Sequence, residues 1–272
     1  MSVGASLAKR LLKRWSRRVF AAGGHAVGAR RHNLSQGVRI LTYHRIVADP
    51  LDPFAVSPED FSRQMDALTR TGRVVDLGVA LEDIGGRSEP PPQVVLTFDD
   101  GTHDFLTTAM PVLTRLELPA VIYVNPSRVG TPGFLGWHDL LDLARVGVQV
   151  GSHSLDHCSL GRLERNEVCR QLVESRRVLE DRLGREVRSL AYPYGTMHDF
   201  SDLVRAEVSR AGYQSACSSI NGVNGVGSDL LALRRTKIEQ GDLPIFPWIL
   251  EGSLDGWAFF DRHLARLQNR YE

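Results

Sequence analysis

Val94-Val95-Leu96-Thr97-Phe98-Asp99-Asp100-Gly101 is the stretch on which the reading of this chain turns. A run of β-branched and apolar residues ends in two adjacent carboxylates and a glycine. In an α/β protein such a run is a strand buried on both faces of a parallel sheet. Its carboxyl end is where open sheets and barrels alike gather their chemistry. Neighbouring side chains on a strand point to opposite faces, so Asp99 and Asp100 are set up for different tasks. Taken alone, the stretch also fits a plain Asp-Asp-Gly turn.

A second stretch weighs against the plain turn. In Val146-Gly147-Val148-Gln149-Val150-Gly151-Ser152-His153-Ser154-Leu155-Asp156-His157, another short apolar strand runs into two histidines four residues apart. Imidazoles at that spacing converge on one helical turn or in a tight loop. Two histidines and a carboxylate form a common protein shell for a catalytic divalent ion that keeps open positions for water. A third stretch, Ala191-Tyr192-Pro193-Tyr194-Gly195, is again a strand ending in turn chemistry.

Together, and in this order, the three stretches resemble the motifs of the polysaccharide deacetylases, the NodB-homology family of carbohydrate esterases. Thr97-Phe98-Asp99-Asp100 is similar to the first motif, and His153-Ser154-Leu155-Asp156-His157 to the second, His-Ser/Thr-x-x-His. Ala191 to Gly195 is similar to the third, in the form of exopolysaccharide-type members. The similarity covers about residues 38 to 240.

The resemblance implies a divalent ion, zinc as the expected one, held by Asp100, His153 and His157. It further implies Asp99 as the base that takes a proton from water. The backbone N–H of Tyr194 would stabilise the oxyanion, with Pro193 fixing the turn. The activity implied is removal of N-acetyl groups from an amino sugar in a polysaccharide, oligosaccharide or glycolipid precursor. Two departures stand out. Where family members carry an arginine that braces the catalytic aspartate, this chain has Ala191, and Arg235 on a later strand is the candidate replacement. The late Leu-x-x-x-His motif that supplies the general acid is missing, which leaves His44 as the candidate. An inactive glycan-binding or scaffolding protein on the same fold is the alternative.

Around these motifs the chain alternates strands with helices, the pattern of βαβ units and a mainly parallel sheet. Strands are expected at 38–44, 73–75, 94–98, 119–124, 146–152, 189–192, 214–218 and 231–238, and helices at 57–68, 105–116, 137–144, 164–183, 201–211 and 243–270. About seven such strands make an irregular (β/α) barrel. Ser57-Pro58-Glu59 is a helix start with cap, first-turn proline and acid near the positive end, and Gly184 a left-handed helix stop. Residues 221 to 228, with three glycines, read as a mobile loop.

The chain divides into an arm and linker, 1–37, and a catalytic body, 38–272. Residues 1 to 48 hold ten Lys or Arg and no acid; taken from totals of 33 basic and 32 acidic residues, this leaves 23 against 32, or −9, on the rest. An acidic body excludes a nucleic-acid partner. Residues 5 to 20 read as an amphipathic helix with Leu7, Leu11, Leu12, Trp15 and Val19 in line and Lys9, Arg10, Lys13, Arg14 and Arg17 opposite. Such a helix suits an anionic membrane surface or, equally, packing on the body. Residues 21 to 37 read as a linker. Three cysteines without a C-x-x-C pair fit a reducing compartment. Leu11-Leu12 runs at once into Lys13-Arg14, so no secretory leader is read, and the expected place is the cytoplasm, at the inner membrane face where the arm engages it.

Overall fold

The computed structural model describes residues 15–26, 36–49 and 52–263. A helix over 15–26 (α1) precedes β1 (Val38–Tyr43), the short pair β2 (Arg45–Ile46) and β3 (Ala55–Val56), α2 (Pro58–Thr69), α3 (Leu77–Ile84) and β4 (Gln93–Phe98). Then follow α4 (Met110–Arg115), β5 (Val121–Val124), α5 (Trp137–Arg145), β6 (Gln149–Ser152), α6 (Arg165–Leu183) and β7 (Ser189–Ala191). The chain continues through α7 (Asp202–Arg210), β8 (Ser215–Cys217), β9 (Arg235–Lys237), α8 (Phe246–Leu250) and α9 (Ala258–His263).

Seven strands form one sheet in the order β8-β7-β6-β5-β4-β1-β9, every neighbouring pair parallel. A parallel bridge between Cys217 and Leu233 brings the two edges together, so the sheet nearly closes into the expected (β/α) barrel. Period-two alternation sorts the side chains. Val94, Leu96 and Phe98 of β4 face outward into the core beneath the helices. Val95 points inward, with Ile40, Val121, Tyr123, Ala191, Cys217 and Leu233, into a separate interior core. Burial on both faces is why this strand reads as an unbroken apolar run.

Helix α3 closes the amino-terminal mouth of the barrel, packing Leu77, Ala80 and Ile84 on the interior core. The sequence reading missed it, although Asp76 caps it by accepting from the N–H of Gly78 and its apolar residues fall at i, i+3 and i+7. Ser57 caps α2 as expected, accepting from the N–H of Asp60, and Gly184 ends α6 at φ 63°.

Five expectations need correction. The helix over 105–116 begins as a π-helical turn, Phe105–Ala109, and becomes α-helical only where Pro111 falls in its first turn, where a missing N–H costs nothing. The strand over 231–238 shrinks to Arg235–Lys237, and the helix over 243–270 is broken into short pieces by Gly252 at φ 89° and the turns around it. The loop over 221–228 is tied to β1 by the pair Val38 N to Asn224 O and Asn224 N to Val38 O. Lastly, residues 21–26 are helical rather than linker. Gly24 lets α1 lie against the carbonyl of Ser253, Phe20 meets Trp257 edge-on at 5.1 Å, and Ala21 is fully buried. Small residues that looked like a flexible tract are the face of a closely packed helix. Positions 5–14 of the expected amphipathic helix lie outside the described residues.

Candidate metal centre and active site

The carboxyl ends of β1, β4, β6, β7 and β9 converge at the open mouth of the barrel. On β4 the alternation carries Thr97 inward, Phe98 outward and Asp99 inward again, 3 % exposed. Arg235 reaches it from β9 through two hydrogen bonds, Nη1 to Oδ1 and Nη2 to Oδ2, each 2.8 Å. The same guanidinium donates from Nε to the carbonyl of Ser218 and lies over the ring of Tyr123. Burial pushes the Asp99 carboxyl up, but the Arg235 pair outweighs it and holds the acid below its ordinary range.

Asp100 leaves the strand in the left-handed region, φ 73°, and Gly101 continues it at φ 71°. This turn swings the second carboxylate away from Arg235 toward the histidines. A Cβ at position 101 would stand 2.6 Å from Cγ1 of Val124, so the residue must be glycine on two counts. The carboxylate Oδ1 of Asp100 lies 3.1 Å from Nε2 of His157 and 3.6 Å from Nε2 of His153. Burial works against its charge, but the His157 contact and the imidazoles of His44 and His153 hold its pKa far below the usual range.

His153 follows β6, 2 % exposed, and its Nδ1 lies 2.7 Å from the carbonyl oxygen of Ala191. A carbonyl only accepts, so Nδ1 carries the proton and Nε2 presents its lone pair to Asp100. Burial lowers its pKa to about 4, which keeps the ring neutral at physiological pH. The loop that brings His157 back is bent sharply, with Ser154 at φ 61° and His157 at φ 57°. Three side chains hold it there. Ser154 Oγ accepts from the N–H of His157, and Asn125 Nδ2 donates to the carbonyl of His153. Gln171 of α6, buried, accepts from the N–H groups of Leu155 and Asp156 at 3.1 and 3.0 Å and donates to the Asp156 carboxylate at 2.8 Å.

The ligand atoms of Asp100, His153 and His157 all lie within 4.8 Å of one another. Asp100 Oδ1 is buried and has no well-aligned hydrogen bond despite two imidazole nitrogens beside it. The donor set, two imidazoles and a carboxylate, fits a divalent ion.

Tyr194 occupies φ 61° in a tight turn closed by the Gly195 N–H on the carbonyl of Pro193, 2.7 Å. Such γ-turns are strained and are kept by their surroundings. The Tyr194 ring stands edge-on to His157 at 5.1 Å, at the rim of the mouth. His44, just past β1, stacks on Phe54 at 5.2 Å, and its buried Nδ1 has no hydrogen-bond partner among the described residues. Burial lowers its pKa, with Asp99 and Asp100 opposing.

All seven residues singled out in the sequence therefore stand at one end of the barrel. Asn125 and Gln171 were overlooked. Asn125 ends the apolar run of β5 just as Asp99 ends that of β4, and Gln171 sits on the otherwise apolar line Val168, Leu172 and Leu179 of α6. A buried amide on a helix line is the signal that was available.

A nearly closed parallel barrel with this mouth is the NodB-type deacetylase fold. Residues 86–216, just under half of the chain, match the sequence model of the polysaccharide deacetylases, a family of hydrolases. It is 26 % identical over 148 residues to YxkH of Bacillus subtilis, a protein named for polysaccharide deacetylation, covering 54 % of this chain and 52 % of that one. Over 108 residues it is 31 % identical to the peptidoglycan-N-acetylglucosamine deacetylase PgdA of Listeria monocytogenes, covering 39 % of this chain and 22 % of the other. The chain thus spans about half the length of the first relative and about a fifth of the second. In fold it is similar to the Streptococcus pyogenes deacetylase PplD in complex with acetate, with TM-score 0.73 and 22 % identity over 80 % of this chain and 98 % of that one.

Proposed function

We propose that the chain is a metal-dependent hydrolase that removes N-acetyl groups from an amino sugar in a polysaccharide, oligosaccharide or lipid-linked glycan. The observation that carries this reading is the separation of two adjacent carboxylates. Asp100 is turned into the His153–His157 pair while Asp99 is held off it by Arg235. One acid is free of the ligand set and ionised, as proton transfer from water requires.

A divalent ion, zinc in our reading, held by Asp100, His153 and His157 would acidify water and polarise an acetamide carbonyl. Asp99 would take a proton from water, and Arg235 fixes the direction in which its carboxylate points. The backbone N–H of Tyr194, presented by its γ-turn, would donate to the oxygen that gains charge. The proton collected by Asp99 is then needed by the departing amine. His44, with its unpartnered buried Nδ1, is our candidate for passing it on. Its lowered pKa favours a relay over a standing imidazolium. We place the protein in the cytoplasm at the inner membrane face, a reading supported by three free thiols and the basic arm.

The test is metal content followed by turnover. After chelation and reloading, the protein should hold about one zinc per chain and Asp100→Ala none. The loaded protein should release acetate from N-acetylglucosamine oligosaccharides, and Asp99→Asn should keep zinc yet lose nearly all release. Absence of zinc in both proteins would refute the metal site, and substantial release by Asp99→Asn would refute the base.

A further inference from the structure

At the amino-terminal mouth of the barrel, a cleft of about 600 Å³ lies between helix α3 and the starts of β6, β7 and β8. Period-two alternation decides what faces it. Leu190 of β7 and Ala216 of β8 pack outward beneath the helices, so Ser189 and Ser215 point inward, as Ala191 and Cys217 do two residues further on. The two serines are register partners, both line the cleft, and each is 1 % exposed. Neither hydroxyl has a hydrogen-bond partner. Tyr123, whose ring fills the space over Gly151, has its own hydroxyl 3.6 Å from Cys217 Sγ. Buried hydroxyls in folded proteins are almost always bonded, so an unpaired couple on one row of a cleft asks for an explanation.

The rest of the lining narrows the class of guest. Gln149, on the inward face of β6, and Gln214, just before β8, bring amides that both donate and accept, as the serines do. Leu81 of α3 and Leu230 pack on the interior core and give the cleft apolar surface. The charges at the rim do not add up to one sign. Arg188 is paired with Glu186 at 2.6 Å, Arg185 donates to the carbonyl of Ala144 at 2.6 Å, and Asp76 accepts from the N–H of Gly78. Glu82 adds a carboxylate, an acceptor that suits a hydroxyl donor. A phosphate or a metal ion meets no cluster of opposite charge here. A neutral molecule with several hydroxyls meets donors, acceptors and apolar surface for its C–H faces.

We infer that this cleft is a second binding site, which takes a neutral hydroxyl-rich ligand, a sugar or polyol, through Ser189 and Ser215. Its volume falls within the range of about 300–1,000 Å³ usual for small-ligand sites. Ala191, Cys217 and the rest of the interior core lie between it and the mouth that holds Asp99 and the metal ligands. The site is therefore distinct from the one proposed for deacetylation and does not rest on that reading. The same hydroxyls are offered by a free sugar and by one unit of a glycan chain, and the two sources part in the test.

The test uses the whole chain with glucose and cellotriose, neutral sugars that carry no acetamide, and with inorganic phosphate as the charged control. Calorimetry follows binding, and hydrogen–deuterium exchange locates it. We expect saturable sugar binding with slowed exchange at 147–150, 187–189 and 214–215 and no change at the opposite rim, 194–198. A free sugar as guest predicts that glucose binds about as well as cellotriose; a glycan segment predicts that cellotriose alone binds. Ser215→Ala should weaken binding about tenfold. The urea midpoint of that variant should be unchanged or raised, because an unpaired buried hydroxyl has been removed. Four results would overturn the inference: no binding of either sugar, slowed exchange confined to 194–198, tighter binding of phosphate than of sugar, or full sugar affinity in Ser189→Ala with Ser215→Ala. Acetate release is no part of these readouts, so this site and the deacetylase reading fail separately.

Discussion

Arg235 and Asp99 face each other across the inside of the barrel, joined by two parallel hydrogen bonds of 2.8 Å, though 136 residues separate them. Both are almost wholly buried, at 1 % and 3 %. A buried ion pair adds little over a well-packed apolar pair, but breaking one side strands the other charge. We expect Arg235→Met to cost about 3–5 kcal/mol in urea denaturation. Asp99→Leu combined with Arg235→Met should recover much of that loss. Additive losses in the double variant would show the pair to be uncoupled.

The pH behaviour of the metal-free protein should carry the mark of His153. Its ring titrates near pH 6.5 in the unfolded chain and, because of burial, near pH 4 in the folded one. Between those values the unfolded chain binds more protons, so acid favours unfolding. The stability present above pH 6.5 is withdrawn as the pH falls to 4, by about 3 kcal/mol in full. His153→Asn keeps a donor for the carbonyl of Ala191 and should flatten this part of the profile. Parallel profiles for the two proteins would rule His153 out as its source.

Gln171 touches neither ligand ring, yet it ties down two N–H groups between His153 and His157. We expect Gln171→Leu to weaken zinc binding about 10–100-fold, measured by competition with a chromophoric chelator. Gln171→Glu still accepts both N–H groups but sets its carboxylate against Asp156, so it should lose less affinity than Gln171→Leu and regain it when combined with Asp156→Asn. An unchanged zinc affinity in Gln171→Leu would mean that the bent loop holds its shape without the helix.

Gly101 is pinned by conformation and by space. Gly101→Ala should lose about 1–2 kcal/mol to the left-handed backbone alone, with a further loss from contact with Val124. In a Val124→Ala background the contact part should vanish and the backbone part remain, as thermal or urea unfolding would show.

Much of this was legible in the sequence because parallel strands write themselves plainly. Val94 to Phe98 is apolar throughout since β4 is covered on both faces, and Asp99 and Asp100 mark where the cover ends. The motif order carried the family resemblance that implies the ligand trio, and Ala191 in place of the family's arginine pointed to Arg235. What stayed hidden depended on contacts between distant segments. Nothing local to residues 21–26 announces a helix, since Gly24 earns its place against Ser253, far along the chain. The inward and outward faces of α1 could not be assigned without Asp242, which binds the buried Arg17. The turns around Gly252 likewise sit where distant segments meet, with Gly24 against Ser253 and Arg39 donating to the carbonyl of Leu250.

The seam between β1 and β9 places a demand on biosynthesis. The first long strand has the last one as its neighbour, Ile40 aligned with Arg235, and β1 lies between β4 and β9 in the sheet. Closing a loop of nearly two hundred residues costs only a modest entropy but is slow, because no local contact rewards it until the end. While the ribosome is still translating the middle of this chain, the edge of β1 that β9 will cover stays open and Asp99 has no guanidinium to face. The nascent barrel is in that interval an open sheet with a bare edge, the form in which such chains most readily stick to one another.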